Sequence, residues 1–141
     1  MNPGREMDAL VAERVMGWKR VEKPHKFGTG ITIHLRAPGK PEEPNTVCEY
    51  ITVDIAAPCL PSEFIPKYST DIAAAWDVVE KIKHNGPAEA KDMDATLTIE
   101  EADGEWWVGW RWHEWTGDGA SAQSAPHAIC LAALKAVGVE V

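Results

Sequence analysis

Nowhere in the 141 residues is there a run of about 18 apolar side chains, so no segment reads as a transmembrane helix. The start of the chain also lacks the uninterrupted apolar core of a secretory signal, because Arg5, Glu6, Asp8, Glu13 and Arg14 interrupt it. A cytoplasmic location is the expectation. Cysteine is scarce: Cys48, Cys59 and Cys130 are an odd number with no CxxC spacing, which argues against a disulfide framework and against a zinc knuckle. Positive charge is short as well, with Lys+Arg 14 against Asp+Glu 22 and a net charge of -8. Binding along a duplex depends on many Lys and Arg neutralising phosphates, so this balance disfavours duplex nucleic acid as a partner. A basic stretch from Lys19 to Lys26 leaves room for a local basic loop. No P-loop, GxSxG or HExxH is present, so nothing in the sequence positively supports catalysis or names a catalytic residue or cofactor.

What remains is the composition of an ordinary soluble globule, 45% hydrophobic and 26% charged, of a length that buries one sizeable core. One domain spanning residues 1–141 is expected. Its first helix is predicted to open at Asn2 with Pro3 in the first turn and to stop at Gly17, with an inward stripe of Leu10, Val11, Arg14, Val15 and Trp18. Residues 19–67 hold most of the prolines and read as an irregular insert around one hairpin, formed by 30–36 and 47–55. A second helix is predicted after Tyr68-Ser69-Thr70-Asp71, with Ser69 as the capping side chain, Ile72, Ala75, Trp76, Val79 and Ile82 as its buried stripe, and Lys81, Lys83 and His84 in the last turn. Capping also explains Ser69 and Asp71 better than an anion site does, since Asp71 already places a negative charge in the field of the helix end. A third helix, capped by Ser124 or Ala125 with Pro126 in its first turn, is apolar nearly all round from Ala128 to Leu134 and should be buried on most sides.

Between the last two helices, Asp103-Gly104 supplies the two residues of a type I′ turn. The register follows from that turn: Ala102 opposite Glu105, Ile99 opposite Val108, Leu97 opposite Trp110, and Glu100, Thr98 and Thr96 opposite Trp107, Gly109 and Arg111. The run Glu100-Glu101-Ala102-Asp103 is then a solvated hairpin end. The strand after the turn, Glu105 to Trp115, packs five of the seven tryptophans into eleven residues. Alternation along a single strand puts Trp106, Val108, Trp110 and Trp112 on one face and Trp107, Arg111, His113 and Trp115 on the other. A bulge at Gly109 would exchange the faces beyond it.

Two segments, Tyr68-Ser69-Thr70-Asp71-Ile72-Ala73-Ala74-Ala75-Trp76-Asp77-Val78-Val79-Glu80-Lys81 and Ser124-Ala125-Pro126-His127-Ala128-Ile129-Cys130-Leu131-Ala132-Ala133-Leu134-Lys135-Ala136, resemble the phage ABA-sandwich domain family, as does the opening helix from Met7 to Trp18. The resemblance covers three helices, about half the chain. It implies helices packed about a sheet in a small phage or prophage protein, and it carries over no catalytic, metal or binding residue. The fold class expected is therefore α+β, an antiparallel sheet of two hairpins with three packed helices. The insert at 19–67 and the density of tryptophan in the last strand exceed the family pattern.

For the face of Trp107, Arg111, His113 and Trp115, two readings stand. As a platform, the indoles stack on a small anionic aromatic ligand such as a nucleotide signal of host defence, while Arg111 and His113 hold its charged group. As a covered surface, the same residues pack under a helix, a second subunit of a homo-oligomer, or a host protein that the face inhibits or recruits. His113 and Glu114, adjacent on a strand, point apart and cannot form an acid/base pair. His113 with His127 makes at most half a metal site without a supporting spacing, so no metal is expected. Cys130, inside an apolar helix, reads as an inert packing thiol.

Overall fold

The computed structural model describes residues 1–24, 31–36, 47–52, 65–84, 95–112, 115–116 and 119–141. Along the chain the elements are α1 (Arg5–Arg14), β1 (Lys19–Pro24), β2 (Ile31–Arg36), β3 (Val47–Thr52), α2 (Ile72–His84), β4 (Thr96–Ala102), β5 (Glu105–Trp112), β6 (Trp115–Thr116), β7 (Ala120–Ala122) and α3 (Ala125–Ala136). The class is α+β. The strands form two antiparallel sheets, where the sequence suggests one sheet of two hairpins: β1, β2 and β3 lie in that order, and β4, β5 and β6 lie in that order with β7 also on β5. The added strand β1 runs through the stretch that reads as a basic loop, pairing Lys19 with Arg36 and Pro24 with Ile31. With only Val21 apolar, its sequence carries no core-facing pattern. It forms because β2 offers a backbone edge, and Pro24 is tolerated at the end of an outer strand.

The helices gather on one side of the second sheet. α3 packs against β5, β7, α2 and α1, and α2 also meets β4. Their shared core contains Met7, Val11, Ile65, Tyr68, Val78, Ile82, Val108, Trp110, Trp112, Ile129 and Leu134, all nearly inaccessible. α3 is buried as its composition demands, and it ends in a Schellman motif: Val139 N–H donates to Leu134 C=O and Gly138 N–H to Lys135 C=O, both at 2.9 Å. Ser124 is its cap residue, with extended backbone.

α1 opens at Arg5 with Gly4 as the cap residue, two residues later than Asn2 and Pro3 suggest. The reason lies 65 residues on, because the Gly4 N–H donates to the Ser69 hydroxyl at 2.8 Å. Ser69 thus serves α1 and does not cap α2. Asp71 caps α2 instead, its Oδ1 accepting from Ala73 N–H at 2.9 Å. The buried face of α2 is Ala75, Val78, Val79 and Ile82, whereas Ile72 is 51% and Trp76 48% exposed. Both were expected inside. The buried stripe runs through Val78 in place of Ile72 and Trp76, and α2 packs on α3.

Candidate functional site

The hairpin β4–β5 forms with the register that Asp103-Gly104 dictates, from Ala102↔Glu105 to Thr96↔Arg111. Both turn residues have positive φ, 54° at Asp103 and 79° at Gly104, as a type I′ turn requires. The Gly104 N–H donates to Glu101 Oε1 at 3.1 Å. Pairing runs through Gly109 without a bulge, so alternation holds along β5. Its inner row is Trp106, half-buried, then Val108, Trp110 and Trp112, exposed by 1% or less. Trp110 and Trp112 stack with ring centroids 6.3 Å apart and planes 21° apart. Their Nε1 groups are buried without a hydrogen-bond partner among the described residues.

The outer row is where a partner can reach. Trp107 is 40% exposed, and Arg111, Thr96, Thr98 and Glu100 are exposed beside it. No helix among the described residues covers this side, so the structure places Trp107 and Arg111 together on an accessible face. Strand β5 stops at Trp112, however, and Trp115 opens β6, whose register sets it across from Trp112. That turn removes Trp115 from the alternation that would have joined it to Trp107, because the expectation assumed one strand through residue 115. His113 lies outside the described residues.

The sequence reading missed what holds Trp107. A Cβ placed on Gly109 would stand 2.8 Å from Trp107 Cζ2, and one on Gly119 would stand 2.6 Å from Trp107 Cε2. The indole therefore packs directly against two residues that have no side chain, and Gly109 is buried. Ordinary carbon contacts begin near 3.4 Å, so even a methyl group at either place would push the ring away. A glycine inside a strand is a sequence signal for such a close approach. Gly119 is fixed by Lys135 of α3, whose Nζ donates to its carbonyl at 3.2 Å. On the other side of the indole, β7 aligns Ser121 with Trp107.

Neither the Arg111 nor the Glu100 side chain forms a hydrogen bond or ion pair among the described residues. Within the same limits, no three His, Cys, Asp or Glu side chains gather as metal ligands, and no helix is long and apolar enough to cross a membrane. His127 is engaged with the Met1 carbonyl oxygen, 2.9 Å from its Nε2. Cys130 is buried, and burial together with the nearby charge of Asp8 pushes its thiol up to about 12, so it is no nucleophile at neutral pH.

Three helices on one face of an antiparallel sheet, with an exposed indole and an exposed guanidinium on the other, define an α+β sandwich-type domain. The chain belongs to the phage ABA sandwich domain family, whose pattern it matches over residues 9–134. It is a phage protein domain. It is also similar to a phage protein from Bacillus cereus ATCC 14579, whose crystal structure is known at 2.0 Å, with 23% identity and a TM-score of 0.51 over 96% of this chain and 92% of that one. At that identity the likeness speaks to the fold alone. No curated protein matches the chain.

Proposed function

We propose that this phage or prophage accessory protein acts by binding, without catalysis, and that the outer row of β5 captures a small anionic aromatic ligand such as a nucleotide signal of host defence. The observation that carries the reading is the Trp107 indole, 40% exposed and seated against Gly109 and Gly119 with Arg111 on the same row. The exposed part of the ring offers aromatic surface to a planar ligand, and stacking of a base on an aromatic contributes about 1–3 kcal/mol. Arg111 supplies a guanidinium for charge-assisted hydrogen bonds to phosphate. Sequestration is the output. Isothermal titration against a panel of nucleotides and cyclic nucleotides tests it: wild type gives saturable heat, Trp107→Ala and Arg111→Ala weaken it about tenfold or more, and a flat response to the whole panel removes the reading.

A second reading is favoured by Ile72 and Trp76, one helical turn apart on α2 and about half exposed. Trp and Arg dominate the centres of protein interfaces, so this pair and the Trp107 face would serve as contacts in a homo-oligomer or with a host protein. Light scattering that reports a monomer, together with the loss of any host partner in high salt, would count against it.

A further inference from the structure

On the proposed binding reading, the face has a direction as well as a platform. The indole of Trp107 leans along β5 to lie over Gly109, so a ligand stacked on it sits between two exposed charges of opposite sign, neither of them paired among the described residues. Glu100 is directly across from Trp107 at one end, and Arg111 is at the other, opposite Thr96. Four residues of strand separate the two rows by about 13 Å, and the diagonal from Glu100 to Gly109 is about 7–8 Å. A phosphate is repelled by Glu100 and attracted by Arg111. The ligand's anionic end therefore goes to Arg111, leaving the edge of its base toward Glu100.

We infer that this site selects guanine, because a carboxylate at the base edge needs two adjacent donors there. The guanine edge presents N1–H and N2–H side by side, which match the two oxygens of Glu100. Adenine and cytosine each offer one amino group next to a ring nitrogen whose lone pair faces the carboxylate. Hypoxanthine keeps N1–H and loses the amine. A site built to receive a donor disfavours the analogue that lacks it, since its own acceptor is left without a partner. The exposure of this face keeps the discrimination modest, and it is read as a ratio of affinities.

Isothermal titration of the full-length chain with GMP, IMP, AMP and CMP tests the assignment. Wild type is expected to bind GMP about tenfold or more tightly than AMP or CMP, with IMP between them. In Glu100→Gln, whose fold is checked by circular dichroism, GMP and AMP should come within about threefold of each other while Arg111→Ala weakens both alike. Equal binding of GMP and AMP by wild type, or a GMP preference that survives in Glu100→Gln, overturns the guanine assignment and leaves nucleotide capture standing. Heat from none of the four nucleotides overturns the assignment, and silence across the wider cyclic-nucleotide panel then removes the capture reading with it.

Discussion

Asp8 Oδ1 accepts both the backbone N–H and the hydroxyl of Ser69, each at 2.7 Å, with both residues buried. The Ser69 oxygen in turn accepts from Gly4 N–H, so a single side chain joins the start of α1 to the turn before α2. A buried carboxylate costs free energy unless its lone pairs are occupied, which makes this contact a condition of docking α1. Ser69→Ala should lower stability by about 2 kcal/mol and Asp8→Ala by about 3 kcal/mol, with Asp8→Asn milder because an amide oxygen still accepts. Urea denaturation measures this, and a Ser69→Ala midpoint equal to wild type would mean that α1 docks by packing alone.

The seat of Trp107 is open to a double-mutant cycle. Gly109→Ala forces the indole off the strand and should cost about 1–2 kcal/mol, while the same change in a Trp107→Ala background should cost nothing or stabilise the strand. Additive effects would show that the ring and the glycine are independent. The single Gly109→Ala variant should also lose ligand heat while keeping its fold.

Alkaline pH offers another check. Burial, with Asp8 adding to it, raises the Cys130 thiol from 9.0 to about 12. Burial, followed by the charge of Asp77, raises the Tyr68 phenol from 10.0 to about 12, against the lowering effect of its hydrogen bond with Trp18. Both groups hold their protons longer in the folded chain, so their contribution is complete below the unfolded values and is lost as pH climbs toward about 12. Thermal midpoints should stay level up to about pH 8.5, fall from about 9, and fall more steeply from about 10 when Tyr68 joins, each group adding a slope of up to about 1.4 kcal/mol per pH unit. Cys130→Ala should postpone the onset to about pH 10. An unchanged onset in that variant would place the thiol outside the alkaline transition.

The unpaired indole N–H groups of Trp110 and Trp112 make truncation informative. Trp112→Ala should cost about 4 kcal/mol through the void it leaves. Trp112→Phe should cost only about 1 kcal/mol, since it loses volume but also relieves a buried donor of its desolvation penalty. Similar costs for the two, by chemical denaturation, would mean that the N–H holds a hydrogen bond in solution.

The hairpin was the most legible part of the chain because its turn and its alternation are local: Asp103-Gly104 sets the register, and the register sets which tryptophans meet the helices. The stop of α2 and the burial of α3 were readable for the same reason, being written within one or two turns of helix. Ser69 was misread because its partners, Gly4 and Asp8, are more than sixty residues away and no local pattern reports them. Ile72 and Trp76 were misplaced because a helix of this composition has two plausible apolar stripes, and only the position of α3 decides between them. Trp115 was lost to a reversal that an unbroken tryptophan run conceals. Of the site, the row of Trp107 and Arg111 and the placement of Glu100 across from Trp107 were visible in advance, while the glycine seat needed the path of the indole over Gly109 and Gly119.

A ring seated on hydrogen atoms is easily displaced, since one methyl group at Gly109 or Gly119 lifts it and leaves the rest of the molecule intact. Loss of the proposed binding therefore need not leave any mark on the helices or on the core. Among related phage proteins, the joint presence of two small residues beside an aromatic is a sharper guide to the proposed recognition than overall similarity, and on that proposal it would sort descendants that kept the ligand from those that inherited only the scaffold.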